Sequence, residues 1–266
     1  MVTRLLAVSV RCADLKDRKA RYLYGHDGRG IGAVSVHPAG TYFAVAEKGN
    51  SPNVYIYEYP SLRLYRICRK GTEKTYSDVN FSHDGRKLAT VGAHPDFLLT
   101  VWDWTNERII LRSKAFSQEV YNARFSPVDD GFLTSSGTGH IRFWRMAGTF
   151  TGLKLQGAIG KFGKIELSDI CAFAQLPDGK VLTGSENGSL LLWEGNFIKC
   201  EIATSSGARP HNGNITALKL DRDAGHFVSG GDDGRLCWWS FKDIDLAEVD
   251  DDTPQFVLVR AGGVCG

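Results

Sequence analysis

Three side chains of the kind that pass protons, His211, Ser229 and Asp233, fall in one stretch of this 266-residue chain, with Trp239 close behind. A hydroxyl, an imidazole and a carboxylate in series can activate a nucleophile, or they can knit a buried hydrogen-bond chain. The first use requires a hydroxyl open to substrate and donors for an oxyanion. Ser229 instead lies in "HFVSGG", an apolar strand pattern, with Asp233 in the following turn and Trp239 in the next strand. That setting predicts a structural relay, in which the carboxylate accepts from the imidazole and the hydroxyl satisfies the indole N–H. No catalytic residue is assigned.

A second candidate is "GHDGRGIGAVSVHP", residues 25–38, where glycines crowd beside His26 and His37. A dinucleotide fingerprint needs its glycines between a strand and a helix, and these lead into the strand pattern "IGAVSV". The G-x-x-x-x-G-K-[ST] phosphate loop is absent. Nor do the seven histidines, at 26, 37, 83, 94, 140, 211 and 226, form an i, i+4 pair or adjoin paired cysteines, so no metal site is assigned. The run is expected to be a tight connection, with His26 in the loop position of a repeat and His37 in a hairpin turn.

The strands that must hold these residues recur along the chain. Five segments each give an apolar strand, a polar turn and a second apolar strand: "VSVHPAGTYFAVA", "VNFSHDGRKLATVG", "ARFSPVDDGFLTSS", "FAQLPDGKVLTGS" and "LKLDRDAGHFVSGG". A third strand carrying an aromatic follows each, at Tyr57, Trp102, Trp144, Trp193 and Trp239, and fourth strands such as "RIILRSK" and "QFVLVR" come next. A period near 45 with this grammar is that of WD repeats. The expected fold is an all-β WD-repeat β-propeller with five complete four-stranded blades over 25–260. Before them, 1–24 would supply the third and fourth strands of a partial blade, and 261–266 would be a tail. Half a blade leaves a seam in a ring, so the chain is expected to be a fragment of a larger propeller of about seven blades. Only the last blade shows the full relay; Asp96, Thr138 and Asn187 stand six residues before the aromatic in three others, which read as eroded.

Lys and Arg number 32 against 30 Asp and Glu, and a net charge of +2 provides no field for nucleic acid or an anionic membrane. Six scattered cysteines without C-x-x-C suit free thiols in a reducing compartment. The apolar stretch between Arg4 and Arg11 is short for a signal peptide, and no run approaches the roughly 20 residues that span a bilayer, so a soluble chain is expected. These features call for no cofactor, metal, membrane, nucleic acid or small-molecule substrate and leave proteins as partners. The long connection "GAIGKFGKIELSDI" is the place to seek one, with Lys161, Lys164 and Glu166 as candidate contacts.

The segments "GHDGRGIGAVSVHPAGTYFAVAEKG", "LLTVWDW", "LPDGKVLTGSENGSLLLWEG" and above all "GTGHIRFWRMAGTFTGLKLQGAIGKFGKIELSDI" go beyond repeat grammar. Through them the chain resembles the axonemal WD-repeat family of cilia- and flagella-associated proteins, from about residue 20 to 245. The resemblance implies a non-catalytic scaffold in the cytoskeleton of the ciliary and flagellar axoneme. It further implies a part in the tether and tether head that hold inner-arm dynein motor domains, with cilia- and flagella-associated protein 43, inner-arm dynein and doublet-microtubule components as partners. Two other readings rest on the repeat alone: an interaction adaptor outside cilia, and a propeller enzyme using carboxylates such as Glu47 and Glu186.

Overall fold

The computed structural model describes residues 2–6, 8–13, 19–26, 29–204, 207–221, 225–241 and 256–258. Two compact units divide the chain, Met1–Ser135 with Trp144–Gly157 and Ser136–Phe143 with Ala158–Gly266. The first holds a three-stranded sheet of Val2–Leu6 (β1), Ser9–Ala13 (β2) and Ala20–Tyr24 (β3). A four-stranded antiparallel sheet follows, Ile31–Val36 (β4), Tyr42–Glu47 (β5), Val54–Glu58 (β6) and Leu64–Cys68 (β7), then a second, Tyr76–Phe81 (β8), Leu88–Gly92 (β9), Leu98–Asp103 (β10) and Arg108–Lys114 (β11). The strands Val120–Phe125 (β12), Phe132–Gly137 (β13), His140–Thr149 (β14) and Gly152–Ile159 (β15) form the next sheet, within which the chain passes from one unit to the other. The second unit adds Ile170–Gln175 (β16), Val181–Ser185 (β17), Leu190–Glu194 (β18) and Phe197–Ala203 (β19), then Ile215–Asp221 (β20), His226–Gly231 (β21) and Leu236–Ser240 (β22). Phe256–Leu258 (β23) pairs parallel with β19.

Turn chemistry sets the hairpins. In "HDG" and "PDG" the aspartate accepts a backbone N–H two residues on, Arg86 N to Asp84 at 3.0 Å and Lys180 N to Asp178 at 3.1 Å. Between them stand Gly85 and Gly179, whose φ of 75° and 89° suit the residue without a Cβ. Second strands are buried along their whole length in β9 and β17, because sheet faces are covered on both sides; outer strands such as β7 stay half-exposed. First strands carry a register shift at one repeated place, between Ile31 and Ala33, Tyr76 and Asp78, Ile170 and Ala172, and Ile215 and Ala217. A second shift directly precedes the aromatics Tyr57, Trp102 and Trp193. Bulges of this kind sharpen local twist and re-aim a side chain, and here the three aromatics come out buried.

The core lies between successive sheets. Ala44, Val54 and Ile56 pack with Tyr76, Leu88 and Trp102 in the first unit, and Leu182, Leu190 and Cys200 with Ile215, Phe227 and Trp239 in the second. One outer edge is also tied by a side chain, since Glu107 Oε1 accepts the Ile67 N–H of β7 at 3.1 Å.

The all-β propeller architecture is therefore that expected, but two strand assignments change. Residues 1–24 supply three strands: Val2–Leu6 pairs along its length with Ser9–Ala13. The segment read as the fourth strand of the last blade runs parallel to Glu201–Ala203 instead, so that sheet has three described strands, β20, β21 and β22. A short apolar strand pairs with whichever free edge it reaches, and sequence pattern does not specify the edge. The expected tail, 261–266, lies outside the described residues.

Candidate functional site

The indole Nε1 of Trp239 donates to Ser229 Oγ at 2.9 Å, Ser229 Oγ meets His211 Nε2 at 2.8 Å, and His211 Nδ1 meets Asp233 Oδ1 at 3.0 Å. Donor counting orders the chain: the indole gives to the hydroxyl, the hydroxyl to Nε2, and Nδ1–H to the carboxylate. Burial raises the Asp233 carboxyl, but the bonds from His211 and from the N–H groups of Asn212 and Arg235 outweigh it and hold it at about 2. Hydroxyl, imidazole and carboxylate thus stand in a nucleophile's order, yet Ser229 is completely enclosed and its oxygen already accepts the indole proton, so no substrate carbonyl can approach.

The same place recurs in the other sheets with different residues. Across the strand pairs, Trp239 faces Phe227, Trp102 faces Leu88, Trp193 faces Val181 and Tyr57 faces Phe43. Two residues on from these partners stand Ser229, Thr90, Thr183 and Val45. The hydroxyls of Thr90 and Thr183 take the indole protons of Trp102 and Trp193 at 2.9 Å, as Ser135 takes that of Trp144. Four residues on stand Gly231, Gly92, Ser185 and Glu47. A Cβ on Gly231 would lie 2.6 Å from His211 Nδ1, and one on Gly92 would lie 2.4 Å from Thr72 Oγ1. Thr72 is the residue that fills the histidine's place, donating to Asp96 Oδ1 at 2.9 Å while Glu73 N donates to Oδ2 at 2.9 Å. In the β4–β7 sheet, Glu47 occupies the glycine's place, and its own carboxylate takes the His26 N–H at 2.7 Å and meets His26 Nδ1 at 3.2 Å.

Asp96 is therefore no remnant but half of a working pair, and neither Thr72 nor Glu47 was legible as a relay member. A threonine in a loop carries no signal of its own, and Glu47 stands out in the sequence only as a carboxylate open to a propeller enzyme. Asn187 takes part in a local turn, accepting from Ser185 Oγ at 2.5 Å and from Ser189 N at 3.2 Å. Glu186 accepts the Asp169 N–H at 3.1 Å. A further pair absent from the sequence reading is Asp78 with Arg124: burial pushes the Asp78 carboxyl up, while Arg124 and the Ala123 N–H, at 2.8 Å, favour its charge.

The opening glycine run joins β3 to β4, with Gly30 at φ 104° and no helix following. His37 has both ring nitrogens engaged, Nδ1 accepting from Ala39 N at 3.1 Å and Nε2 facing Gly85 O at 3.2 Å.

In the connection after β15, Lys161 lies beside the turn between β18 and β19, bridged to Phe197. Its N–H donates to Asn196 O at 2.8 Å, and its ammonium lies 4.8 Å from the Phe197 ring centre. Phe162 stands edge-on to Trp193 at 5.2 Å, and Ile165 joins the same core, which turns Lys164, Glu166 and Leu167 outward. The loop is thus a pinned platform of exposed cation, carboxylate and leucine rather than a slack linker.

Residues 19–261 match the family model described as the echinoderm microtubule-associated protein first beta-propeller. Over 240 residues the chain is 54% identical to cilia- and flagella-associated protein 44 of Mus musculus, covering 90% of this chain and 13% of that protein. Against the protein of the same name from Chlamydomonas reinhardtii it is 59% identical over 210 residues, 76% of this chain and 12% of that one. The chain thus spans about an eighth of the length of these relatives. Among solved structures, the β-propeller domain of Cps50 (Swd1) from Myceliophteria thermophila superposes with a TM-score of 0.70 at 16% identity, over 90% of this chain and 72% of that one, which is a likeness of fold.

Proposed function

The chain belongs to the family of the echinoderm microtubule-associated protein first β-propeller, and from that premise we propose that it is a non-catalytic docking scaffold of the ciliary and flagellar axoneme. The observation that carries this reading is the identity above one half with proteins named for cilia and flagella in a mammal and an alga, across most of the chain. The enclosed serine of the relay supports the non-catalytic part, since the most enzyme-like constellation present is sealed. Its work is to rigidify one sheet.

Within the axoneme, the proposed role is that of the tether and tether head, holding inner-arm dynein motor domains in concert with cilia- and flagella-associated protein 43 and doublet-microtubule components. The platform of Lys161, Lys164 and Glu166 is the proposed contact, because fixed loops on a rigid scaffold suit recognition. Fractionating cilia that carry the tagged protein tests the reading. Retention in the detergent-extracted axoneme is expected, with inner-arm dynein heavy chains as cross-linked neighbours; release into the membrane-and-matrix fraction would overturn it.

A further inference from the structure

The β14–β15 hairpin outgrows its counterparts. Its strands run 10 and 8 residues, where the third and fourth strands β6, β7, β10, β11, β18 and β19 run 5 to 7. At the tip, Phe150 is fully exposed, and Leu153 stands half-exposed behind it. Beside the stem, Val128 in the turn before β13 and Phe132 at the start of β13 are exposed. Stem and turn are joined: Met146 N donates to Gly131 O at 2.8 Å, and the Arg145 guanidinium lies 5.9 Å from the Phe132 ring centre. Single exposed apolar residues are ordinary, but four on one projecting element and the segment bonded to it mark an interaction surface.

Charge points the same way. From Gly131 to Ile165 the sequence has no Asp or Glu, in a chain that carries 30 of them, while Arg142, Arg145, Lys154, Lys161 and Lys164 all fall in that interval. Arg145 and Lys154 are exposed on the hairpin, and neither has a carboxylate partner among the described residues. Two cations and one aromatic tip are too few to hold a protein on an anionic bilayer, which takes a polybasic cluster or a lipid anchor. They suit a protein surface, where one ring fills a recess and flanking carboxylates set the approach.

We propose that the tip of the β14–β15 hairpin docks an acidic segment of another protein, which encloses Phe150 and pairs its carboxylates with Arg145 and Lys154. The inference rests on the reading of the chain as an axonemal protein scaffold. The test places a photo-reactive residue at the tip, Phe150→p-benzoylphenylalanine, in the full chain expressed in ciliated cells, and maps the cross-linked peptides. The expected product is a peptide of another protein in which Asp and Glu outnumber Lys and Arg. Its yield should fall at least about fivefold with Lys154→Glu, and likewise with Arg145→Glu, and fall as salt rises from about 0.05 M to about 0.5 M. Thermal melts of both variants should match the parent, since these side chains are exposed. Cross-links to lipid, to nucleic acid, to a second copy or to a neutral or basic peptide would overturn the proposal, as would a yield indifferent to charge reversal or no product at all. If the protein is retained in axonemes while the tip yields no such peptide, this inference alone fails; if it leaves the axoneme, the scaffold reading fails.

Discussion

Thr72 donates its hydroxyl to Asp96 at 2.9 Å in the place where, in another sheet, His211 meets Asp233 at 3.0 Å. Both carboxylates also take the next backbone N–H, from Glu73 and Asn212. The pair ties the loop entering each sheet to the turn between its second and third strands. Asp96→Ala and Asp233→Ala are each expected to destabilise the fold by about 1–3 kcal/mol, because they strand buried donors. Urea denaturation followed by tryptophan fluorescence measures both, and equal loss would show threonine and histidine to be equivalent in this role.

The Asp233 carboxyl titrates at about 2 in the folded chain against an ordinary 3.8. A depressed carboxylate contributes stability that is complete above its unfolded value and is lost as pH falls through the folded one. The urea midpoint should therefore drop between about pH 4 and about pH 2 by more in the parent than in Asp233→Asn, whose side chain does not titrate.

Removing the indole's acceptor should cost as much as removing a relay carboxylate. Thr90→Val and Thr183→Val keep shape but leave the N–H groups of Trp102 and Trp193 buried without a partner, at about 1–3 kcal/mol each. In a Trp102→Phe background, Thr90→Val should cost markedly less, and a double-mutant cycle reads the difference.

Gly71 and Gly160 each leave no room for a methyl. A Cβ would fall 2.8 Å from the Trp102 ring at Gly71, and 2.4 Å from Ile141 and 2.8 Å from the Trp193 ring at Gly160. Gly71→Ala and Gly160→Ala should each destabilise by about 1–3 kcal/mol. Gly148→Ala, where nothing lies within 4 Å, should stay within about 0.5 kcal/mol of the parent in the same urea denaturation.

Burial pushes the thiols of Cys68 and Cys200 up to about 12 and about 11. Neither should react with iodoacetamide in the native protein near neutral pH, and both should react once urea has unfolded it; mass spectrometry of the labelled peptides decides.

What sequence could and could not tell follows from these residues. Hairpins bounded by "SHDG" and "LPDG", and tryptophans at a fixed interval, are local signals, and each hairpin so marked is present. The His211, Ser229, Asp233 and Trp239 set was legible because all four positions carry their commonest residue. Thr72 and Glu47 were not, since each supplies the needed group from a residue type or position that the pattern does not specify. Strand pairing at the edges was equally hidden: "VTRLL" is too short to announce a strand, and "FVL", Phe256–Leu258, fits either a third-strand edge or the β19 edge it takes. Local pattern says that a segment will be extended, while its neighbour depends on which edge lies within reach.

An amide on the outer strand β7 is already engaged, because Glu107 reaches across to the Ile67 N–H. An exposed strand edge is a template on which a foreign chain can add itself, and repeated addition leads to fibrous aggregates. A carboxylate lent by the next sheet removes one rung of that template and sets a charge beside it. Glu107 thus leaves that edge one backbone donor fewer for a foreign strand to use.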